Sequence, residues 1–363
     1  MKRGTVLIMA GGTGGHIFPA LAAARVLRER GFEPVWLGTQ RGLEAKLVPP
    51  QQIEIEWISM SGLRGKGIAT WFAAPFKLAL AVWQSLKVMQ RRKPAVVLGA
   101  GGFVSGPGGI AAWLTRRPLV IHEQNAIAGM TNRMLSRFAR RVLEAFPASF
   151  PARAHAERVG NPVRREIAAL APPAQRFAGR SGPLRVLIFG GSQGAARLNT
   201  VVPAAFAMID AAHRPKIIHQ AGERHIAAAR DMYAKHGVDA DVRAFIDDMA
   251  EVYEWADLVI CRSGALTVSE IAAAGLGAVF IPFAAAVDDH QTRNARFLVD
   301  AEAAVLIPES ELAPLRLYET LRGLFGAGRE KLADMATRAR ALAITDADVR
   351  LADACIEAAG GVR

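Results

Sequence analysis

His16 is the residue best placed for proton chemistry. It closes Gly11-Gly12-Thr13-Gly14-Gly15, a glycine turn between the apolar run at 5–10 and a helix-like stretch at 19–30. A neutral imidazole at the carboxyl edge of a first strand can take a proton from an attacking hydroxyl. The ordinary alternative is a helix-capping histidine. A second polar cluster, His122-Glu123-Gln124-Asn125, ends the apolar run at 119–122. Glu123 can orient His16 or replace it as the base, and Asn125 suits a sugar hydroxyl, unless the cluster is only a hydrogen-bonded turn.

The second half of the chain has its own set. Cys261-Arg262-Ser263-Gly264-Ala265-Leu266-Thr267-Val268-Ser269-Glu270 joins an apolar strand to a helix ending at Gly275. The first turn of such a helix offers unpaired N–H groups to a pyrophosphate, and Glu270, about one turn in, can accept from ribose hydroxyls. Its carboxylate also suits a bare helix dipole. Asp288-Asp289-His290-Gln291-Thr292-Arg293-Asn294 follows another strand. Its Asp/His spacing hints at a metal, but no third ligand cluster accompanies it, so no metal is expected. Gln291 and Asn294 are read instead as sugar-hydroxyl binders.

Two familiar nucleotide signatures are missing. Gly12-Thr13-Gly14 would need a third glycine at 17, where Ile17 stands, and no acidic residue follows Leu37-Gly38-Thr39 to hold a ribose. Gly62-Leu63-Arg64-Gly65-Lys66-Gly67 has the wrong spacing for a P-loop. Nicotinamide chemistry and P-loop phosphate chemistry both lose ground.

The elements that must position these residues repeat. Apolar runs at 6–10 and 186–189 each lead into a glycine turn, Gly11–Gly15 and Gly190-Gly191-Ser192-Gln193-Gly194, and then into a helical stretch. Seen twice about 180 residues apart, this opening predicts two Rossmann-like domains in tandem. Further strands are expected at 34–38, 95–99, 119–122 and 141–143, then at 216–220, 242–245, 258–261, 278–282 and 304–307. Runs apolar on both faces predict an α/β protein with parallel sheets covered by helices. The boundary is expected at Gly160-Asn161-Pro162, giving domains at 1–161 and 162–340, and the last segment, 330–359, reads as helical.

Length and charge agree with this plan. A chain of 363 residues, 51% hydrophobic and 21% charged, has room for two full cores and is neither disordered nor fibrous. Residues 1–161 hold 22 Lys and Arg against 8 Glu and no Asp, whereas the remainder holds 23 against 25. A basic half implies an anionic partner for that half: nucleic acid, an acidic lipid surface or a phosphorylated substrate. Trp71, Phe72, Phe76, Leu78, Leu80, Val82 and Trp83, followed by Lys87, Arg91, Arg92 and Lys93, suit an anionic bilayer surface or, equally, a core helix with a solvated end. No stretch is long and apolar enough to span a bilayer. The two cysteines, Cys261 and Cys355, fit a reducing compartment, and the start of the chain reads as a buried strand and not a signal peptide.

In order along nearly the whole chain, these segments resemble the bacterial undecaprenyl-diphospho-muramoylpentapeptide N-acetylglucosaminyltransferases, the MurG family. The resemblance is carried by Gly11 to Pro19, Ser61 to Gly67, Gly101 to Gly109, His122 to Asn125 and Val159-Gly160-Asn161-Pro162-Val163-Arg164. It continues through Gly190 to Gly194, Phe245 to Met249, Cys261 to Glu270 and Asp288 to Asn294. One departure is Ala284-Ala285-Ala286, where relatives often carry Pro, His or aromatic residues.

The resemblance implies a GT-B fold, two Rossmann-like domains facing across a cleft, with a last helix at about 341–363 packing back on the first domain. It implies an inverting transfer of GlcNAc from UDP-GlcNAc to the 4-hydroxyl of the muramoyl sugar of lipid I, giving lipid II. Donor contacts carry over onto Thr13, Gly14, Gly15, Asn125, Arg164, Ser192, Ile246, Ala265, Leu266, Thr267, Val268, Ser269, Glu270 and Gln291, with Asn294 beside the GlcNAc. Ile246 and Arg164 would lie near uracil, and Ser192 with the Ala265 turn at the phosphates. One base suffices for inversion, His16 before Glu123, and no cofactor is implied. The expected setting is the cytoplasmic face of the cell membrane, with lipid I, an anionic leaflet and cell-wall synthesis proteins as partners. A UDP-GlcNAc 2-epimerase shares the plan but has no use for the segment at 71–93. A nucleic-acid binder would need an RNA- or DNA-binding signature that the basic half lacks.

Overall fold

The computed structural model describes residues 3–60, 68–191, 194–284 and 289–360, with backbone alone over 68–74. The chain divides into two compact units, Met1–Val163 with Ile344–Arg363, and Arg164–Ala343.

The first unit is a parallel sheet of β1 (Thr5–Met9), β2 (Glu33–Gly38), β3 (Glu54–Trp57), β4 (Val96–Gly99), β5 (Leu119–Glu123), β6 (Arg141–Glu144) and β7 (Glu157–Arg158), in the order β3-β2-β1-β4-β5-β6-β7. Val6, Leu7, Ile8 and Met9 are buried without remainder, because helices cover both faces of a central parallel strand. The order reverses between β1 and β4, which pair Val6 with Val96 through Met9 with Gly99. The loops leaving those two strands therefore diverge and open a crevice at their carboxyl ends, the usual ligand position in such sheets.

The helix Gly14–Glu29 starts five residues earlier than the apolar pattern from Pro19 predicts. Gly14, Gly15 and His16 are thus its first turn, with Thr13 extended before it. The closing helix Ala347–Ala358 packs Leu351, Ala352 and Cys355 into the same cluster as Ile17, Ala20 and Ala24. The segment expected to be one helix over 330–359 is two, Gly328–Ala341 and Ala347–Ala358, and the chain passes from one unit to the other between them.

The long helix Ile68–Arg92 shows why its composition was ambiguous. Ala81, Ser85, Val88 and Met89, spaced on one face, are buried against the sheet. Phe76 is 81% exposed and Trp83 52%, with Leu80 also exposed. Its end is tied down where Arg92 Nε donates to Glu56 (2.6 Å) on β3.

The second unit repeats the plan with β8 (Arg185–Phe189), β9 (Lys216–Gln220), β10 (Asp241–Arg243), β11 (Leu258–Cys261), β12 (Gly277–Phe280) and β13 (Ala304–Leu306), all parallel, in the order β10-β9-β8-β11-β12-β13. Its reversal lies between β8 and β11, so the Gly190 turn and the Cys261–Gly264 turn leave from adjacent strands. Strands β3 and β7, absent from the expectation, are short edge strands rich in charge. No helix among the described residues is long and apolar enough to cross a membrane.

Candidate functional site

In the first unit, three glycine conformations bring backbone and imidazole together. Gly12 has φ +90°, which turns the chain from β1 into the helix. Gly102 (φ +80°) lies so close that a Cβ there would sit 2.3 Å from the Gly11 carbonyl oxygen. Gly101 (φ +97°) faces His16, and a Cβ there would sit 2.7 Å from Nδ1. The glycines after β4 thus make room for the half-buried His16 ring in the crevice. Glu44, fully buried, ties the turn to the end of β2: one oxygen accepts from the Gly12 amide (3.4 Å), the other from the Thr39 amide (2.9 Å) and hydroxyl (2.8 Å). His16 Nδ1 lies 2.8 Å from Gln124 Oε1.

Glu123 is not placed as a base. Its carboxylate, on a residue 2% exposed, accepts from the Asn125 amide (3.0 Å), Asn125 Nδ2 (3.2 Å), the Gly129 amide (3.1 Å) and Asn132 Nδ2 (2.8 Å). Both oxygens point into the loop and hold it, and neither reaches a proton at the surface. Asn125 is kept half-buried at the crevice by that anchor. Thr13 is exposed there, and Gly14 and Gly15 present first-turn N–H groups that have no partner within the helix.

In the second unit, Gly194 (φ +73°) sits where a Cβ would be 2.2 Å from the Ala221 carbonyl oxygen, which pins the turn after β8 onto the end of β9. Ser192 lies outside the described residues, as do Asp288 and the segment at 61–67. The helix Ala265–Ala274 begins at Gly264, with extended backbone, and ends at Gly275 in the left-handed region. Its first-turn amides, at Ala265, Leu266 and Thr267, lack intrahelical partners by position and suit an anion.

Glu270 is buried on that helix, and one oxygen accepts from Arg164 Nε (3.1 Å) and Nη2 (3.0 Å). Tyr253 donates its hydroxyl to the other at 3.4 Å. Burial pushes the Glu270 carboxyl up, and the Arg164 charge and hydrogen bond oppose that rise. Arg164 is exposed at its outer end while Glu270 is buried, so the carboxylate keeps an acceptor that a ribose hydroxyl can reach only beside the Arg164 guanidinium.

Two residues carried over by resemblance face the interior. Val268 is fully buried and its amide donates to the Gly264 carbonyl (2.9 Å), so it belongs to the core of the helix and offers nothing to a ligand. Asn294 is fully buried, with Nδ2 donating to the Ser263 carbonyl (3.3 Å), and it holds the turn before the helix instead of facing a sugar. Ser269 is half-buried, and its hydroxyl returns to the Ala265 carbonyl (2.9 Å). Gln291 accepts from the Phe283 amide (2.9 Å), which orients the loop after β12.

Several residues of these sites carry no signal in the sequence. Gln220 accepts from the Ile246 amide (2.9 Å) and donates to the Gly191 carbonyl (3.1 Å), joining two ligand-side turns. Tyr253 supports Glu270, and Glu309 links the Arg262 guanidinium to the Ala284 amide (2.9 Å). Only their positions in space reveal them. Among the described residues no group of three His, Cys, Asp or Glu is placed to hold a metal ion.

Comparison with known proteins bears on what this arrangement serves. The glycosyltransferase family 28 N-terminal domain matches residues 6–144, and the family 28 C-terminal domain matches residues 185–351. The chain belongs to glycosyltransferase family 28. Among its relatives is the UDP-N-acetylglucosamine–N-acetylmuramyl-(pentapeptide) pyrophosphoryl-undecaprenol N-acetylglucosamine transferase of Marinobacter nauticus, 54% identical over 98% of both chains. The protein of that name from Nitrosococcus oceani is 55% identical over 98% of this chain and 99% of its own. The crystal structure of Acinetobacter baumannii MurG is 41% identical, covers 98% of this chain and 99% of that one, and superposes with a TM-score of 0.87. The chain therefore carries the family 28 fold, as two parallel-sheet α/β units of the GT-B type.

Proposed function

We propose that this chain transfers N-acetylglucosamine from UDP-GlcNAc to the 4-hydroxyl of the muramoyl sugar of lipid I, with inversion at the anomeric carbon, in peptidoglycan synthesis. The observation that carries this reading is the full-length likeness to transferases of that name, with the Gly11–His16 turn after β1 and the Cys261–Glu270 turn after β11 each leaving a strand at the reversal point of its sheet. In the second unit, Glu270 and Arg164 take the ribose and base, and the first turn of the helix Ala265–Ala274 takes the diphosphate with its amides and dipole. Gln291 and Asn125 take the GlcNAc.

The acceptor oxygen attacks the anomeric carbon as the bond from that carbon to the β-phosphate oxygen breaks. UDP leaves with the bonding pair, and the proton of the attacking hydroxyl passes to His16. Negative charge growing on the leaving diphosphate meets fixed amides, which need no rearrangement.

The exposed Phe76, Leu80 and Trp83, with Lys77 and with Lys87 Nζ 3.5 Å over the Trp83 ring, support peripheral seating on an anionic membrane face. On this reading the chain works at the cytoplasmic face of the cell membrane, where lipid I and other cell-wall synthesis proteins are met.

The test is UDP release from UDP-GlcNAc in detergent, with and without a lipid I analogue, and analysis of the product. Release that needs the acceptor, with a disaccharide formed, is the expected result. Release without acceptor points to an epimerase or hydrolase and overturns the assignment.

A further inference from the structure

His16 does not end its hydrogen bonding at Gln124. Gln124 Nε2 lies 3.0 Å from His122 Nδ1, and His122 Nε2 lies 2.9 Å from the Gly160 carbonyl oxygen. All four groups belong to one unit, and both His122 and Gln124 are buried. We infer that His122 and Gln124 form a relay that sets the tautomer of His16, leaving its Nε2 as the proton-accepting nitrogen.

The assignment follows from donors and acceptors alone. A carbonyl oxygen only accepts, so His122 must carry its hydrogen on Nε2. A neutral His122 then has a lone pair on Nδ1, which the amide NH2 of Gln124 alone can satisfy. That fixes the orientation of Gln124 and turns its Oε1 toward His16. An amide oxygen also only accepts, so His16 must carry hydrogen on Nδ1, and in the neutral ring its lone pair stands on Nε2. Burial pushes His122 down to about 4, so it is neutral at and above neutral pH and the relay keeps its sense there.

Its parts are held from outside the chain of bonds. Asn161 Nδ2 donates to the Gln124 carbonyl (3.0 Å), and Asn132 Nδ2 to the His122 carbonyl (3.2 Å). Gly160 presents its carbonyl with φ +83°, and a Cβ there would lie 2.8 Å from Ile344 Cβ. When His16 accepts the acceptor's proton on Nε2, the Nδ1–H bond to Gln124 is unchanged, so the relay moves no proton of its own. His122 and Gln124 are positioning residues, and their role rests on the proposed role of His16.

The test reads the tautomer directly. Long-range 15N–1H correlation on histidine-labelled protein at pH 8, with His16→Gln to assign the signals, should show neutral His16 protonated at Nδ1. His122→Leu removes the Nδ1 acceptor of the Gln124 NH2, leaves it the longer bond to the carbonyl of residue 122 (3.3 Å), and so loosens the orientation of the amide. Neutral His16 should then gain the Nε2–H form, and kcat should fall by between about tenfold and the roughly 10²–10⁴ that a general base contributes. His122→Asn, whose Oδ1 can stand in for Nδ1, should restore most of the rate, and Gln124→Met should behave like His122→Leu. Thermal melting verifies that each variant is folded. Neutral His16 protonated at Nε2 in the unsubstituted protein overturns the relay, as does equal loss in His122→Leu and His122→Asn. A changed tautomer with an unchanged rate instead overturns the reading of His16 as the base, and with it the catalytic purpose of the relay.

Discussion

Replacing Glu123 by Gln separates an anchor from a base. Each carboxylate oxygen accepts one backbone amide, Asn125 N–H on Oε1 and Gly129 N–H on Oε2, besides a side-chain amide. The Asn125 and Asn132 side chains can turn over to meet an NH2 group, but a backbone N–H cannot. Whichever way the new amide is oriented, its NH2 confronts one backbone donor, and that buried donor is left unsatisfied at a cost of about 1–3 kcal/mol. The surviving bonds also lose their ionic partner, falling from about 1.5–3 to about 0.5–1.5 kcal/mol each. A total of roughly 2–5 kcal/mol is expected, read as a lower midpoint in urea unfolding followed by circular dichroism. The folded variant should keep most of its kcat, because His16 is intact, and should lose activity mainly as its fold is lost. Unchanged stability together with kcat lower by about 10²–10⁴ would refute the anchor and make Glu123 the base.

Four further variants probe other residues. Gly101→Ala places a Cβ against the His16 ring at a positive φ, with backbone strain of about 1–3 kcal/mol, and should lower kcat while leaving the donor KM unchanged. Glu270→Ala removes a charged acceptor worth about 1.5–3 kcal/mol, so UDP affinity by calorimetry should fall by roughly tenfold to a hundredfold; an unchanged Kd rejects the ribose role. His219 is buried beside Tyr233 and burial pushes it down to about 3, below the unfolded value near 6.5. It stays neutral when folded while the unfolded chain takes up a proton, so its contribution is full above about pH 6.5 and is lost as pH falls toward 3, by about 1.4 kcal/mol per pH unit. His219→Asn should flatten that part of the stability profile, and an unaltered slope contradicts the burial effect. Exchanging Phe76, Leu80 and Trp83 for Ser, all exposed, should weaken sedimentation with phosphatidylglycerol vesicles without altering UDP binding; unchanged sedimentation removes this helix from the membrane reading.

The central strands were legible in the sequence because they are buried on both faces and therefore read as unbroken apolar runs, as Val6 to Met9 and Val186 to Phe189 do. Edge strand β3, Glu54-Ile55-Glu56-Trp57, was not, since its charges serve Arg91 and Arg92 and mask the alternation. Glycine hid the start of the first helix: Gly14 and Gly15 are poor helix formers, yet they take its first turn, where a Cβ on Gly14 would lie 2.9 Å from the Phe18 ring. Residue types also marked both crevices correctly as polar. What they left open is the direction of each side chain. Glu123 and Asn294 have the chemistry of ligand contacts but point inward, while Gln124, Gln220 and Tyr253 acquire roles only through partners distant in sequence. Such partnerships depend on how two turns meet in space.

Single-turnover transfer by His16→Gln with a lipid I analogue, alongside its affinity for UDP, decides whether His16 is the base. A rate lower by about 10²–10⁴ with UDP affinity unchanged is expected, since the residues assigned to the uridine and diphosphate, Arg164, Glu270 and the turn at Ala265, belong to the unit that does not hold His16. A rate within about threefold of the unsubstituted protein, well inside that factor, would contradict the role of His16 and leave the transfer without its base.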